Sequence, residues 1–349
     1  MDAVEFLIEF LRIYSPTGEE EGATQFLLER MLDFGFRTYV DRVGNVIGTI
    51  GEGKPTLLLC GHIDTVPGFI PVKLVGDELF GRGAVDAKGP LAAMIMAAKD
   101  FVGKRLNGTV IVAGVVDEEG ESRGIKNIIV SGLKADYAVF GEPSNGRNIV
   151  IGYKGNLHLK VKVETRAGHP ASPATRNASE EMISIWEIIK EMLVEHEKKG
   201  KLRVPSCSIL SMKGDLSKAE MEISIRVPFG ETWLSLFERI RPVVEVKDGF
   251  SERQVEIIDA VDPYEADKKS PLVEAFRKSI KEVYGEEARL LRKTGTGDMN
   301  YYGNWLKSGN IITYGPGDPQ LDHTHEERIN LNDYLRSIEV LRGVIHAML

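Results

Sequence analysis

Thr56-Leu-Leu-Leu-Cys60-Gly-His62-Ile-Asp64-Thr-Val66 is an unbroken apolar run that ends in a histidine, with an aspartate two residues further on. A continuous Leu/Val run, rather than an alternating one, is the pattern of a strand buried on both faces. Such strands belong to parallel sheets covered by helices on each side. Ligands of an open α/β sheet gather at the carboxyl ends of its strands, which is where His62 stands. Four more residues with metal-ligand chemistry follow short apolar runs. They are Asp86 in Gly81-Arg-Gly-Ala-Val-Asp86, Glu119 in Val115-Val-Asp-Glu118-Glu119, Glu142 in Val139-Phe-Gly-Glu142, and His323 in Asp322-His-Thr-His325. Each alone has an ordinary structural explanation: a solvated turn, a core histidine, a tight glycine bend. Five coincident placements do not.

Outward from this run, the elements alternate. Thr17 and Glu20 have capping-box spacing before a helical face of Ala23, Phe26, Leu27 and Leu28 that ends near Gly35. Strand-rich sequence covers 38–50, helices are expected at 88–101 and 122–131, and strands at 109–116 and 135–140. From Asn156 the pattern changes to strict alternation through Thr165, the mark of a sheet with one wet face. A long helix over 179–198, a strand over 220–227, a helix over 231–241 and a strand over 255–258 complete a β-α-β-β-α-β-like unit. After Pro263, a helix at 271–284 and a strand at 310–314 return to the first pattern. The expected architecture is a discontinuous, mostly parallel α/β domain (1–154 and 262–349) carrying an inserted α+β, ferredoxin-like domain (155–261).

Composition narrows the function classes. A chain of 349 residues exceeds the length at which one core keeps growing, in keeping with two domains. A net charge of −8 argues against nucleic acid as the main partner. There is no apolar run long enough for a membrane span, and the acidic start Met-Asp-Ala-Val-Glu argues against an export signal. Cys60 and Cys207 are too few and too far apart for a disulfide framework or a thiolate zinc site. A cytoplasmic protein is expected.

A mixed set of imidazole and carboxylate donors suits borderline divalent metals such as zinc, and also accepts cobalt or manganese. Five donors are one too many for a tetrahedral ion but suffice for two ions sharing a carboxylate, with Asp86 between them. Asp64 can hold the His62 ring in its metal-binding tautomer. Glu118, adjoining Glu119, has the place of a general base acting on water. The chemistry that follows is metal-assisted hydrolysis, most naturally of an amide.

These residues resemble the co-catalytic zinc deacylases and exopeptidases, which include acetylornithine deacetylase, succinyl-diaminopimelate desuccinylase and carboxypeptidase-G-type enzymes. The likeness is carried by Gly61-His-Ile-Asp-Thr-Val, Gly81-Arg-Gly-Ala-Val-Asp, Asp117-Glu-Glu, Gly141-Glu-Pro, Ala167-Gly-His169 and Asp322-His. It implies His62 and Glu142 on one zinc, Glu119 and His323 on the other, Asp86 bridging, Glu118 as base and Asp64 orienting His62. It further implies a homodimer formed through the inserted domain, a lid from which His169 reaches the partner's active site. Arg226 matches an arginine that binds the substrate carboxylate, although Ser224 stands where the relatives have an aspartate. Thr296 lies in a glycine-rich loop, Thr294-Gly-Thr-Gly-Asp298, which reads equally as a substrate loop or as a turn capping a helix. His323 and His325 compete for one ligand position; the register of Thr324-His-Glu-Glu327 favours His323. The segments Gly315-Pro-Gly-Asp-Pro-Gln-Leu-Asp-His-Thr and Gly152-Tyr-Lys-Gly-Asn resemble a compact subgroup of lysine and arginine biosynthesis. Its members release lysine or ornithine from the C-terminal glutamate of a small acidic amino-group carrier protein. Lys154, Arg166, Arg176 and Arg203 are candidates for docking that carrier. Acetylornithine deacetylase or a dipeptidase with the same metal centre is the alternative enzyme, and a metal-free binding protein the alternative of another class.

Overall fold

The computed structural model describes residues 1–166, 176–194, 200–246 and 250–349. The chain divides into two compact units. The first comprises Met1–Gly152, Glu265–Leu291 and Tyr301–Leu349, and the second Tyr153–Tyr264 with Arg292–Asn300. Among the described residues no helix is long and apolar enough to cross a membrane.

The first unit is built on a mixed sheet whose centre is parallel. Strands Thr109–Val115, Thr56–His62, Tyr137–Phe140 and Ile311–Thr313 lie side by side in that order, all pointing the same way. Antiparallel neighbours extend it: Val46–Gly51 and Arg37–Val40 beyond the first, Asn148–Tyr153 beyond the last. The expected mostly parallel α/β core is thus observed. Thr56–His62 is buried along nearly its whole length, as its unbroken apolar sequence requires. Helix Lys88–Lys99 packs on this strand through small and flexible side chains, and every residue but its last is buried. The close approach needs Gly61, where a Cβ would lie 3.0 Å from the Leu91 Cβ. This packing brings the turn before the helix, and Asp86 with it, to the strand end that carries His62.

Some local expectations are corrected. Thr17 and Glu20 form no capping box. Helix Glu21–Asp33 starts without a side-chain cap, because the Thr17 hydroxyl donates to Asp64 Oδ2 at 2.9 Å and Glu20 Oε1 accepts from the Gly18 amide. Helices Ala3–Arg12 and Leu331–Met348 are additional to the sequence reading. So is a small sheet of Lys73–Val75, Glu78–Phe80 and Arg328–Asn330.

The second unit carries an antiparallel sheet ordered Ser206–Gly214, Lys218–Val227, Gly155–Thr165, Ser251–Val261. Alternation decides its faces. Leu157, Leu159, Val161 and Val163 point to a core shared with Met221, Ile223 and Ile225, covered by helices Ala178–Val194 and Trp233–Val244. Strand Ser206–Gly214 has no counterpart in the sequence reading. A bulge between Ile209 and Ser211 shifts its phase, and its residues are almost all exposed, so no alternating signal survives. Arg292–Asn300 belongs to this unit through Thr296 Oγ1, which donates to the Lys154 carbonyl, and Asn300 Nδ2, which donates to the carbonyls of Lys154 and Asp262.

Ile223 is fully buried in that core. Replacing it with alanine removes three heavy atoms from a packed site and should destabilise the unit by about 2–5 kcal/mol. Denaturant melts read by Trp186 and Trp233 fluorescence test this; an unshifted transition contradicts the packing described.

Candidate metal centre

The four central parallel strands each deliver a donor at or beyond their carboxyl ends. His62 is the last residue of its strand, Glu118 and Glu119 follow Thr109–Val115, Glu142 follows Tyr137–Phe140, and His323 lies on the chain after Ile311–Thr313. The structure brings these together with Asp86. One imidazole, that of His62, places Nε2 3.0 Å from Asp86 Oδ1 and 3.6 Å from Glu142 Oε1. The other, that of His323, places Nε2 3.0 Å from Asp86 Oδ2 and 3.0 Å from Glu119 Oε1. The two oxygens of one carboxylate are therefore divided between two imidazoles. Potential ligand atoms of His62, Glu118 and Glu142, and of His62, Asp86 and Glu119, fall within 4.8 Å of one another in each group. His323, and not His325, is the histidine that reaches the cluster; its backbone is left-handed, with φ of 59°.

Electrostatics explains why such a cluster calls for cations. Asp86 and His62 are buried, and Glu119 is largely so. Burial pushes the Glu119 carboxyl up, and the nearby Asp86 charge adds to this. Burial opposes ionisation of Asp86 too, but hydrogen bonds from His323 and His62 outweigh it and hold its carboxyl well below the usual range. Burial on its own would lower the His62 value; its hydrogen bonds with Asp64 and Asp86 reverse this, so the imidazole is raised well above 6.5. Hydrogen bonds to Asp86 and Glu119 push His323 up to about 10. Protons on the two imidazoles thus balance the carboxylates, a role that divalent cations fill with the same donors. The set of imidazole nitrogens and carboxylate oxygens fits such ions.

Asp64 meets the His62 ring with both its backbone and its side chain. Its backbone carbonyl, at 2.9 Å, is the nearer partner of His62 Nδ1, while its Oδ1 lies 3.6 Å away. Either contact directs Nε2 towards Asp86 and Glu142. The carboxylate oxygens also accept the amide hydrogens of Glu118 and Glu119, each at 3.1 Å, and the Thr17 hydroxyl hydrogen. Asp64 therefore fixes the turn that presents Glu118.

The remaining site expectations lie on other parts of the chain. Arg226 and Thr296 lie in the second unit. Arg226 stands opposite Asn156 across the sheet, and Ser224 donates to Asn156 Oδ1. Lys154 is buried there with Nζ donating to the Val204 carbonyl at 2.7 Å; burial and then the Arg226 charge push its pKa down. His169 lies outside the described residues. Glu327 entered the sequence reading only as part of the register after His323, with no role of its own. Its carboxylate is buried against Arg82 and the amides of Val85 and Asp86. The register of Thr324-His-Glu-Glu327, used above to choose His323, was the sequence signal that contained it.

The family profile described as peptidase family M20/M25/M40 matches residues 58–347. Similar sequences include a putative [LysW]-lysine/[LysW]-ornithine hydrolase from Pyrococcus horikoshii, 41% identical over 99% of this chain and 98% of that protein. A [LysW]-lysine/[LysW]-ornithine hydrolase from Sulfurisphaera tokodaii is 32% identical, over 97% of this chain and 95% of its own. Among solved structures, an M20-family metallo-carboxypeptidase from Sulfolobus solfataricus aligns over 100% of this chain and 99% of its own, with a TM-score of 0.82 at 22% identity.

A pH dependence follows from the imidazoles. The folded value of His323, about 10, lies above the unfolded value of roughly 6.5. Its contribution to the stability of the metal-free protein is complete below the unfolded value and is lost as pH rises through about 10. A metal ion must displace that proton, so affinity should rise about tenfold per pH unit per proton released. Zinc titrations of chelator-treated protein at pH 6, 7 and 8 measure this; a pH-independent affinity contradicts it.

Proposed function

The chain belongs to peptidase family M20/M25/M40 and is a metal-dependent hydrolase of amide bonds; from that premise we propose that it releases lysine or ornithine from the C-terminal glutamate of a small amino-group carrier protein. The observation that carries the catalytic reading is the division of Asp86 between His62 and His323. It supports two divalent ions, zinc in the first place and cobalt as a substitute. His62 and Glu142 would hold one ion and Glu119 and His323 the other, with Asp86 shared between them. Such ions, when bound, would polarise the scissile carbonyl and make water acidic enough to attack near neutral pH.

The chain's own residues do the rest. Glu118, whose carboxylate shares a group with His62 and Glu142, takes a proton from the attacking water on a carboxylate oxygen. It then returns that proton to the leaving nitrogen as the amide bond breaks. Asp64 holds the Glu118 backbone while this happens. Donation from His169 of a partner copy stabilises the oxyanion, which makes a homodimer part of the reading. Arg226 and Thr296 bind a carboxylate of the substrate, the guanidinium offering two parallel donors. Support for the carrier-linked substrate comes from the named activity of the relatives, which match this chain along nearly its whole length. Lysine and arginine biosynthesis in the cytoplasm is the corresponding setting.

Two experiments test the reading. Glu118→Gln should retain its metal complement yet lose about a thousandfold or more in kcat; activity within about tenfold of wild type removes Glu118 as the base. Side by side, carrier-lysine and carrier-ornithine should be cleaved with far higher kcat/KM than N-acetylornithine. Equal or faster turnover of the acetyl compound assigns the enzyme to simple deacylation instead.

A further inference from the structure

The Asp86 carboxylate can face two imidazoles only if its backbone is held still. Residues 82–87 form an irregular turn, and residues 81–90 are buried throughout. Amide groups in such a segment need partners, since an unpaired buried N–H costs about 1–3 kcal/mol. The amides of Val85 and Asp86 both donate to one oxygen of Glu327, at 2.9 and 3.0 Å. The other Glu327 oxygen is held by Arg82 Nη1 at 2.8 Å, and this pair is almost completely buried, at 3% and 1% exposure. Arg82 Nε in turn donates to the Gly68 carbonyl at 2.9 Å. The Gly81 amide donates to the Glu327 carbonyl, and the short strand Arg328–Asn330 pairs with Glu78–Phe80, fixing the register of both segments.

Glu327 also lies four residues after His323. One short segment therefore grips Asp86 at both ends: His323 meets its carboxylate, and Glu327 meets its amide. A buried ion pair is weak support for stability, because well-packed apolar residues often serve as well or better. What this pair supplies is geometry.

We propose that Glu327, locked by Arg82, is a positioning residue for the metal centre: it accepts the Val85 and Asp86 amides and so fixes the place from which Asp86 reaches both histidines. This rests on the reading of Asp86 as the shared ligand given above.

The decisive comparison is made in an Arg82→Met background, where no buried guanidinium is left unpaired. Arg82→Met/Glu327→Gln keeps an oxygen acceptor for the two amides; Arg82→Met/Glu327→Leu removes it. Zinc titration of the chelator-treated proteins should show the glutamine variant within about threefold of wild type and the leucine variant about 10–100-fold weaker. Equal zinc affinity in both variants overturns the proposal. If the leucine variant does not fold, Glu327→Asp replaces it. It keeps a charge for Arg82 but withdraws the acceptor by one methylene. The same 10–100-fold weakening is expected there in protein that is still folded without metal, with some loss of metal-free stability from the two amides left unpaired, and wild-type affinity overturns the proposal. The readout is metal binding, so failure of the enzyme to cleave a carrier conjugate would refute the substrate reading and leave this result standing.

Discussion

One carboxylate lies between two imidazoles, and the first unit is arranged around that contact. Asp86 offers Oδ1 to His62 and Oδ2 to His323, each at 3.0 Å. Three further carboxylates, those of Glu118, Glu119 and Glu142, crowd the same strand ends. So much negative charge cannot collect in a mostly buried space without cations. In the metal-free state the imidazoles supply them by holding protons; with metal bound, ions replace those protons. The same electrostatics thus explains how the donors can converge in a mostly buried space.

The scaffold meets this demand by the topology of a parallel sheet. Adjacent parallel strands end on the same edge, so three of them place His62, Glu118, Glu119 and Glu142 side by side within a few residues of their ends, and the fourth leads into the longer segment that carries His323. Asp86 alone comes from a buried turn, and two side chains from distant parts of the sequence tie down what the strands do not. Asp64 holds the amides of Glu118 and Glu119, and Glu327 holds the amides of Val85 and Asp86. Two further buried carboxylates keep the neighbouring ones in place.

Much of this was legible in the sequence, for identifiable reasons. The run Thr56–Cys60 is continuous because its strand is covered on both faces, and the alternation after Asn156 reflects a sheet with one open face. His62, Glu119, Glu142 and His323 stood out because each follows an apolar segment. What stayed hidden depends on three-dimensional closure. The spacing of Thr17 and Glu20 suits a capping box, but the Thr17 hydroxyl finds Asp64, 47 residues away, instead. Strand Ser206–Gly214 loses its periodicity at a bulge. Glu327 sits 241 residues from Asp86, and the register after His323 marks its position but not its contact with the Asp86 amide. The roles of Arg226 and Thr296 depend on substrate, which neither strand pattern nor burial reveals.

Everything at this centre depends on whether Asp86 is shared. Anomalous diffraction from crystals of the zinc-loaded protein measures this directly. The prediction is two ions per chain about 3.5–4 Å apart, with one Asp86 oxygen on each. A single ion, or both Asp86 oxygens on the same ion, would contradict it.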